Sequence, residues 1–551
     1  MYEELKKLIK EAVKAQQKGC GCDFPIPEVE LEHPSNPKFG DLSTNIAMKI
    51  GKLKGENPFT IAENLVKQLD SGQARMTQVG VEKVEAVKPG FINFYLSAGY
   101  YQKELKNILS AGDKFGDLIL GRGKKVQVEF ISANPTGPLT LANGRGGFSG
   151  DVLANVFKKA GYKVEREYYV NDGGNQVKTL GKAILFLHQE NSPEEDLVLY
   201  SGKYIEDWQD KHGDELKMVE DSFLIGQRAA KDFLNELIKP AIERMGIEFD
   251  RFFSEYKDLV EKGEVDEAIK FLKNKKLTKE DDGALWMKTT EFGDDKDRVL
   301  VKSDGEKTYF ANDIAYHWDK FAKRKFDKVV DLWGADHHGY VQRMLAAMEA
   351  MGFGKKLDVV IFQMVRLIKD GKEYKMSKRK GTYVTMDDLL KEIGAKDAAD
   401  VARFFFVSKS FDTHMDFDLD LAKDTSEKNP VYYVKYASAR INGILRNTKV
   451  DFKDADLSLI KESAEIDLIK KISELPEIVE SVISDKKYPV HKFTYYISEV
   501  AEKCHKFYHD CKVISDDKEL TKARLALVSA TKTVLEITGE DILGIDLPER
   551  M

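Results

Sequence analysis

The chain has 551 residues, enough for three to four domains of about 150 residues each, which excludes a single small binding module. Its 86 Lys plus Arg against 93 Asp plus Glu leave a net charge of −7, so any polyanion must be held by local basic patches. No apolar run approaches the ~18 residues of a membrane span, and the four cysteines cannot form a disulfide framework; the expectation is a cytoplasmic protein with no membrane partner.

Residues 1–112 predict a separate α+β unit. It has an opening helix, a Pro/Asn-rich loop at 33–41, helices through 45–52 and 58–69, and strands at 81–87 and 90–97 that turn at Gly90. A charged, Gly-containing linker covers 110–125. From Val126 the order becomes strand (126–132), Gly/Pro-rich turn (133–147), helix (148–161) and strand (163–170), a βαβ unit that implies a right-handed crossover and a parallel sheet. Residues 180–290 are charged and mostly helical, with one ill-defined strand near 283–290, and are expected to be an insertion. The alternation then resumes with a helix at 310–324, a strand at 328–334, a helix at 340–352 and a strand at 357–367. The predicted fold class is α/β, a doubly wound parallel-sheet (Rossmann-like) domain over 120–395, followed by a connecting segment at 396–428 and an all-α bundle at 429–551. Cys504, His505, His509 and Cys511 match no usual zinc spacing and fall in an apolar-periodic helix, so they read as core.

Two segments carry chemistry. A Gly-rich turn between a sheet strand and a helix presents backbone N–H groups where phosphates bind, and here it runs from Ala133 to Gly146. It is neither a Walker A loop nor a Gly-x-Gly-x-x-Gly fingerprint. Some 230 residues later, Lys375-Met376-Ser377-Lys378-Arg379-Lys380-Gly381 gathers four cations and no acid. Such a cluster suits charge developing on the phosphates of a transferring nucleotide.

These two elements resemble the paired signatures of class I aminoacyl-tRNA synthetases, and the surrounding segments are similar to arginyl-tRNA synthetases. They include Glu-Tyr-Tyr-Val-Asn-Asp-Gly-Gly-Asn-Gln at 167–176, Thr-Tyr-Phe-Ala-Asn-Asp-Ile-Ala-Tyr-His at 308–317 and Trp-Gly-Ala-Asp-His-His-Gly-Tyr at 333–340. The resemblance extends to Lys38-Phe39-Gly40-Asp41, Pro89-Gly90-Phe91-Ile92-Asn93-Phe94, Asn429-Pro430-Val431-Tyr432-Tyr433-Val434 and the ending Pro548-Glu549-Arg550-Met551, so it runs from end to end. One departure matters. Where the family usually has His-x-Gly-His, this chain has Thr140-Leu141-Ala142-Asn143. A Thr hydroxyl and an Asn amide still donate hydrogen bonds, whereas Ala142 adds a methyl where the nucleotide packs on bare backbone.

The resemblance implies ligation of L-arginine to tRNA(Arg) through an arginyl-adenylate, with ATP as substrate, Mg²⁺ accompanying it, and a monomeric enzyme that needs tRNA for activation. It implies catalytic roles for Thr140, Asn143, Lys375, Ser377 and Lys378, and nucleotide contacts from Pro135, Gly137, Ala142, Gly144, Met376 and Arg379. A planar cation with five donors calls for carboxylates and a phenol. Tyr309 and Asp313, four apart, share a face if helical. By resemblance, Glu129, Tyr309 and Asp313 hold the guanidinium, Asn134 takes the α-amino end, and His337 with His338 touches the aminoacyl or adenylate region. Asn171, Asp172, Asn175 and Gln176 either shape this pocket or serve turn geometry. The bundle is expected to read the anticodon through Tyr432, Tyr436 and Arg440, in a run that also holds Tyr433, Lys435 and Arg446. Two other readings stand beside this one: a noncatalytic tRNA-binding regulatory protein, and a class I synthetase for another amino acid.

Overall fold

Leu5, Leu8, Ile9, Ala12 and Val13 recur three and four residues apart along the opening helix Tyr2–Cys20, and all are buried. The computed structural model, which describes residues 1–34, 36–188, 202–216, 219, 221–374 and 384–551, packs that stripe against Ile61 and Leu65 of helix Pro58–Ser71. Strands β1 (Leu42–Thr44), β2 (Val81–Val87) and β3 (Phe91–Leu96) complete this core as an antiparallel sheet in the order β1-β3-β2. At the β2–β3 turn Gly90 has φ +156°, and a Cβ there would lie 2.6 Å from Pro58, so only glycine fits. Cys20 and Cys22 are joined by a disulfide that spans Gly21 alone, a local link that closes no loop of the fold. Helix Ala98–Ala111 follows β3 in a stretch for which the sequence reading had no element.

The described chain forms two compact units. One comprises Met1–Asp113, Ile444–Ser473 and Glu502–Thr533; the other comprises Lys114–Gly443, Glu474–Ala501 and Val534–Met551. The first unit is tied internally by Lys470 to Asp41 at 2.6 Å and by buried Arg524 to Glu465 at 2.7 Å.

In the second unit the strands are β4 (Lys125–Glu129), β5 (Lys163–Val170), β6 (Arg251–Ser254), β7 (Thr278–Asp281), β8 (Ala284–Met287), β9 (Arg298–Val301), β10 (Lys328–Gly334) and β11 (Leu357–Phe362). Strands β12 (Val365–Lys369), β13 (Lys372–Glu373) and β14 (Met415–Asp418) follow. The main sheet is wholly parallel in the order β11-β10-β4-β5-β6. The chain moves outward from β4 through β5 to β6, then returns to β10 on the other side of β4. That reversal opens a crevice at the C-terminal ends of β4 and β10, where ligands of such sheets bind.

Three expectations need correction. The region 180–290 is not simply an insertion: its β6 is an edge strand of the main sheet, and the single strand expected near 283–290 belongs to an antiparallel trio, β7-β8-β9. At four residues, Arg-Phe-Phe-Ser shows no usable periodicity. The helix after β4 begins at Leu141, not Phe148. Gly144, Gly146 and Gly147 are therefore helical; a Cβ on them would meet Met386 at 2.1 Å, Phe362 at 3.0 Å and Ile131 at 2.9 Å, so these glycines serve close packing and not a turn. The apolar run 357–367 is two strands of different sheets, divided at Gln363 and Met364.

The helices expected after 429 are present as Pro430–Asn447, Ser463–Ser473, Leu475–Ser484, Lys492–Asp510 and Lys518–Glu536. Cys504 and Cys511 are buried, in keeping with their reading as core.

Candidate active site

Glu129 closes β4, and after Phe130 two residues take left-handed backbone, Ile131 at φ +64° and Ser132 at φ +38°. A β-branched residue in that region is costly, and such costs cluster at functional sites. Ser132 offsets part of it: its hydroxyl donates to Glu129 Oε1 at 3.0 Å and accepts from the Tyr169 N–H at 3.1 Å. The bend directs the chain over the sheet's edge, where a cavity of about 770 Å³ opens.

Residues from the whole rim of the sheet line it. Glu129 and Asn134 come from the end of β4, Tyr169 and Asn171 from β5, Glu255 from β6, and Trp333 and His337 from β10. Helix Tyr309–Trp318 adds Tyr309, Asp313, Tyr316 and His317, all on one face as the four-residue spacing requires. Gly137, Thr140, Ala142 and Asn143 of the signature turn line it as well.

The electrostatics of this cavity are one-sided. Burial pushes the Glu255 carboxyl up to about 7 against hydrogen bonds from Tyr169 Oη at 2.5 Å and Asn312 Nδ2 at 3.3 Å. Burial likewise pushes Asp313 up to about 6, although Tyr340 Oη donates to it. Glu129 is also raised by burial, opposed by Lys320, whose Nζ lies 2.6 Å from its Oε2. Three carboxyls facing one cavity, each made harder to ionise by desolvation, form a receptor for a cation with several N–H donors. A guanidinium, with five N–H donors in one plane, is a cation of that kind.

The signature turn is organised around Asn143. Its Oδ1 accepts from both the N–H and the hydroxyl of Thr140, each at 2.9 Å, as a capping box would arrange. With that oxygen doubly engaged, the Asn143 amide presents its two N–H donors. Thr140 also bridges to Thr385, and the Met386 N–H donates to Leu139 O at 2.8 Å. Thr385 and Met386, which follow the lysine-rich stretch in sequence, are thus fastened to the signature turn.

Several expected residues stand elsewhere. Pro135 is buried behind the turn and Gly144 against Met386, so neither lines the cavity. His337 is exposed at the rim beside Asp336 at 3.3 Å, while His338 does not line the cavity. Asp172 accepts from Ser254 Oγ at 2.6 Å and the Tyr256 N–H at 2.9 Å, which makes it a brace between β5 and β6. Asn134 accepts from Asn171 at 3.2 Å, and the Asn175 N–H donates to Tyr309 Oη at 3.3 Å. Lys375, Met376, Ser377, Lys378, Arg379 and Lys380 lie outside the described residues. Tyr432, Tyr436 and Arg440 sit on helix Pro430–Asn447 and do not line the cavity; Tyr436 and Arg440 are exposed. Lys435 from the same run is buried instead, with its Nζ 2.7 Å from Asp397 and 2.6 Å from Asp400. Glu255, Tyr169, Tyr340 and Lys320 are not among the site residues expected from the sequence. Tyr169 and Tyr340 fall in the segments 167–176 and 333–340 that carry the resemblance, and Lys320 stands seven residues after Asp313; Glu255 carried no such signal.

Residues 3–96 match the family described as "Arginyl tRNA synthetase N terminal domain", 104–403 "tRNA synthetases class I (R), catalytic domain" and 434–551 "DALR anticodon binding domain". The Thermus thermophilus arginyl-tRNA synthetase structure superposes with a TM-score of 0.76 at 21% identity, covering 99% of each chain. Fold and site thus define a class I aminoacyl-tRNA synthetase. Arginine–tRNA ligase 1 of Halalkalibacterium halodurans is 43% identical and that of Bacillus subtilis 42%, each over 100% of this chain and 99% of the relative. The chain belongs to the arginyl-tRNA synthetase family and is an arginine–tRNA ligase, which uses ATP to join arginine to tRNA. Full-length relatives of this kind do not favour a noncatalytic tRNA-binding protein or a synthetase for another amino acid.

Proposed function

We propose that Glu129, Asp313 and Tyr309, joined by Glu255, receive the substrate guanidinium, while Asn134 takes its α-amino group and His337 borders the aminoacyl end. One observation supports this reading above the others: three desolvated carboxyls line the same cavity as the signature turn. ATP, with Mg²⁺ bound as part of that substrate, lies along Gly137, Thr140, Ala142 and Asn143, and Pro135 and Gly144 shape the turn from behind.

The arginine carboxylate then attacks the α-phosphate in line, the bond to the β-phosphate breaks, and diphosphate leaves arginyl-adenylate behind. No side-chain nucleophile is needed; the protein positions the reactants and stabilises charge on the phosphates through Asn143 N–H donors and Thr140. Lys375, Ser377, Lys378, Met376 and Arg379 join them from the lysine-rich segment that precedes Thr385 in sequence. The terminal ribose hydroxyl of tRNA(Arg) next attacks the adenylate carbonyl and releases AMP.

Residues 1–112 contact the tRNA, and 429–551 read its anticodon, with Tyr432 and Tyr436 stacking on bases and Arg440 pairing with phosphate. The enzyme works in the cytoplasm as a monomer. The test is charging of tRNA with arginine, lysine or citrulline by the purified protein, alongside Asp313→Asn and Lys375→Ala. Asp313→Asn weakens selection of arginine and Lys375→Ala slows adenylate formation; unchanged selectivity in Asp313→Asn refutes the clamp.

A further inference from the structure

Beneath the carboxyls lies a cation that the substrate reading does not use. Lys320 is 0% exposed; its Nζ lies 2.6 Å from Glu129 Oε2 and 3.1 Å from Asp331 Oδ1, and 4.1 Å from the centre of the Tyr316 ring. It stands in the π-helical turn Asp319–Lys323 that continues helix Tyr309–Trp318. π-Turns inside helices recur at functional sites. Asp313, Tyr316 and His317, and Lys320 follow at steps of three and four, so the helix that offers Asp313 to the cavity also carries this ammonium below it.

The cluster extends to His317, whose Nε2 faces Asp331 Oδ2 at 2.8 Å and whose Nδ1 faces the Asp313 carbonyl at 2.8 Å. Glu167 acts on Lys320 from β5 as well, but its own hydrogen bonds go to Gln127, Tyr316 and Arg324.

Buried ion pairs seldom improve on apolar packing as a source of stability. We propose that Lys320 is a positioning residue for arginine selection, a resident ammonium that grips Glu129 Oε2 and, by dividing its charge with Asp331, leaves Glu129 ionised and oriented for the incoming guanidinium. The proposal rests on Glu129 being a guanidinium acceptor. One cation against two carboxylates leaves the trio of Lys320, Glu129 and Asp331 net negative, so attraction for the substrate survives. Without the ammonium, Glu129 and Asp331 lose the cation they share; one proton then settles on the pair, and Glu129 offers a neutral carboxyl.

Steady-state charging by the full chain tests this, with KM for arginine, KM for ATP and kcat measured separately for Lys320→Met, Lys320→Arg, Asp331→Asn and Glu129→Gln, each checked for folding by thermal melting. Losing one charge-assisted contact raises the arginine KM about 10- to 100-fold in Lys320→Met. The ATP KM stays within about twofold, kcat falls far less than the arginine KM rises, discrimination against citrulline drops, and Lys320→Arg recovers most of the loss. A folded Lys320→Met with an unchanged or lower arginine KM overturns the proposal. If Lys320→Met does not fold, Asp331→Asn decides, because it leaves the ammonium to neutralise Glu129 alone: a raised arginine KM with the ATP KM unmoved supports the proposal, and an unchanged one overturns it. Glu129→Gln separates the two levels of inference. No effect there defeats the guanidinium reading itself, whereas an effect there with none in Lys320→Met and Asp331→Asn defeats only the role of Lys320.

Discussion

In the proposed guanidinium clamp, lowering the pH removes the charges that receive arginine, and the size of the loss follows from two carboxyls. Asp313 titrates at about 6 and Glu255 at about 7, both lifted by burial. A guanidinium needs both as acceptors, so productive binding scales with the fraction of enzyme in which both are ionised. At pH 8 that fraction is close to one; at pH 5 it is about one in ten for Asp313 and one in a hundred for Glu255, or roughly one in a thousand for the pair. The kcat/KM for arginine therefore falls by about three decades from pH 8 to pH 5, with a limiting slope of two against pH. Charging assays across that range, on enzyme shown by circular dichroism to stay folded, give the profile. The Glu255→Gln variant loses one of the two slopes. A profile that is flat from pH 8 to pH 5, or a full two-slope fall in Glu255→Gln, refutes the reasoning.

The same burial bears on stability, with the sign reversed. Because the folded-state value of Glu255 lies above its unfolded one, its charge costs stability that grows as pH rises from about 4.5 towards 7. Glu255→Gln should then stabilise the ligand-free protein at pH 8 by about 2 to 3 kcal/mol in thermal or urea unfolding while weakening arginine binding; lower stability at that pH contradicts this. Asn143→Ala removes the amide donors at the signature turn, and kcat should fall about 10- to 1,000-fold with little change in the arginine KM, as pre-steady-state adenylate formation will show. Gly150→Ala places a methyl 2.3 Å from Phe130 Cγ and should cost about 1 to 3 kcal/mol by denaturant titration. Arg403→Ala removes the 2.6 Å pair to Asp151, which keeps Arg166 at 3.0 Å, and takes the donor from the Met245 and Gly246 carbonyls; it should cost about 2 to 4 kcal/mol by the same measurement.

Much of the catalytic frame was legible in the residues. Strands β4, β5 and β10 and the helix carrying Tyr309 and Asp313 each announce themselves within a dozen residues, because apolar periodicity is a local property. The spacing of Tyr309 and Asp313 placed them on one face before any fold was known, and Glu129 at a strand end pointed to the sheet's ligand edge. Local pattern says nothing about which strand neighbours which. That β6 joins the main sheet, that 357–367 divides between two sheets, and that three glycines read as a turn lie inside a helix all depend on packing partners far away in the chain. Glu255 became a site residue only because β6 carries it to the rim. Lys435 left the expected nucleic-acid stripe because Asp397 and Asp400 meet it in the interior.

Composition and order along the chain thus determined the class of sheet, the type of each long element and the residue kinds that could bind arginine and a nucleotide. Tertiary structure alone decided the charge balance of the pocket. Glu129 and Lys320 are 191 residues apart and meet at 2.6 Å. Whether a carboxylate is ionised in an interior depends on what surrounds it in space, through desolvation and Coulomb interactions that fall off with distance and take no account of sequence separation.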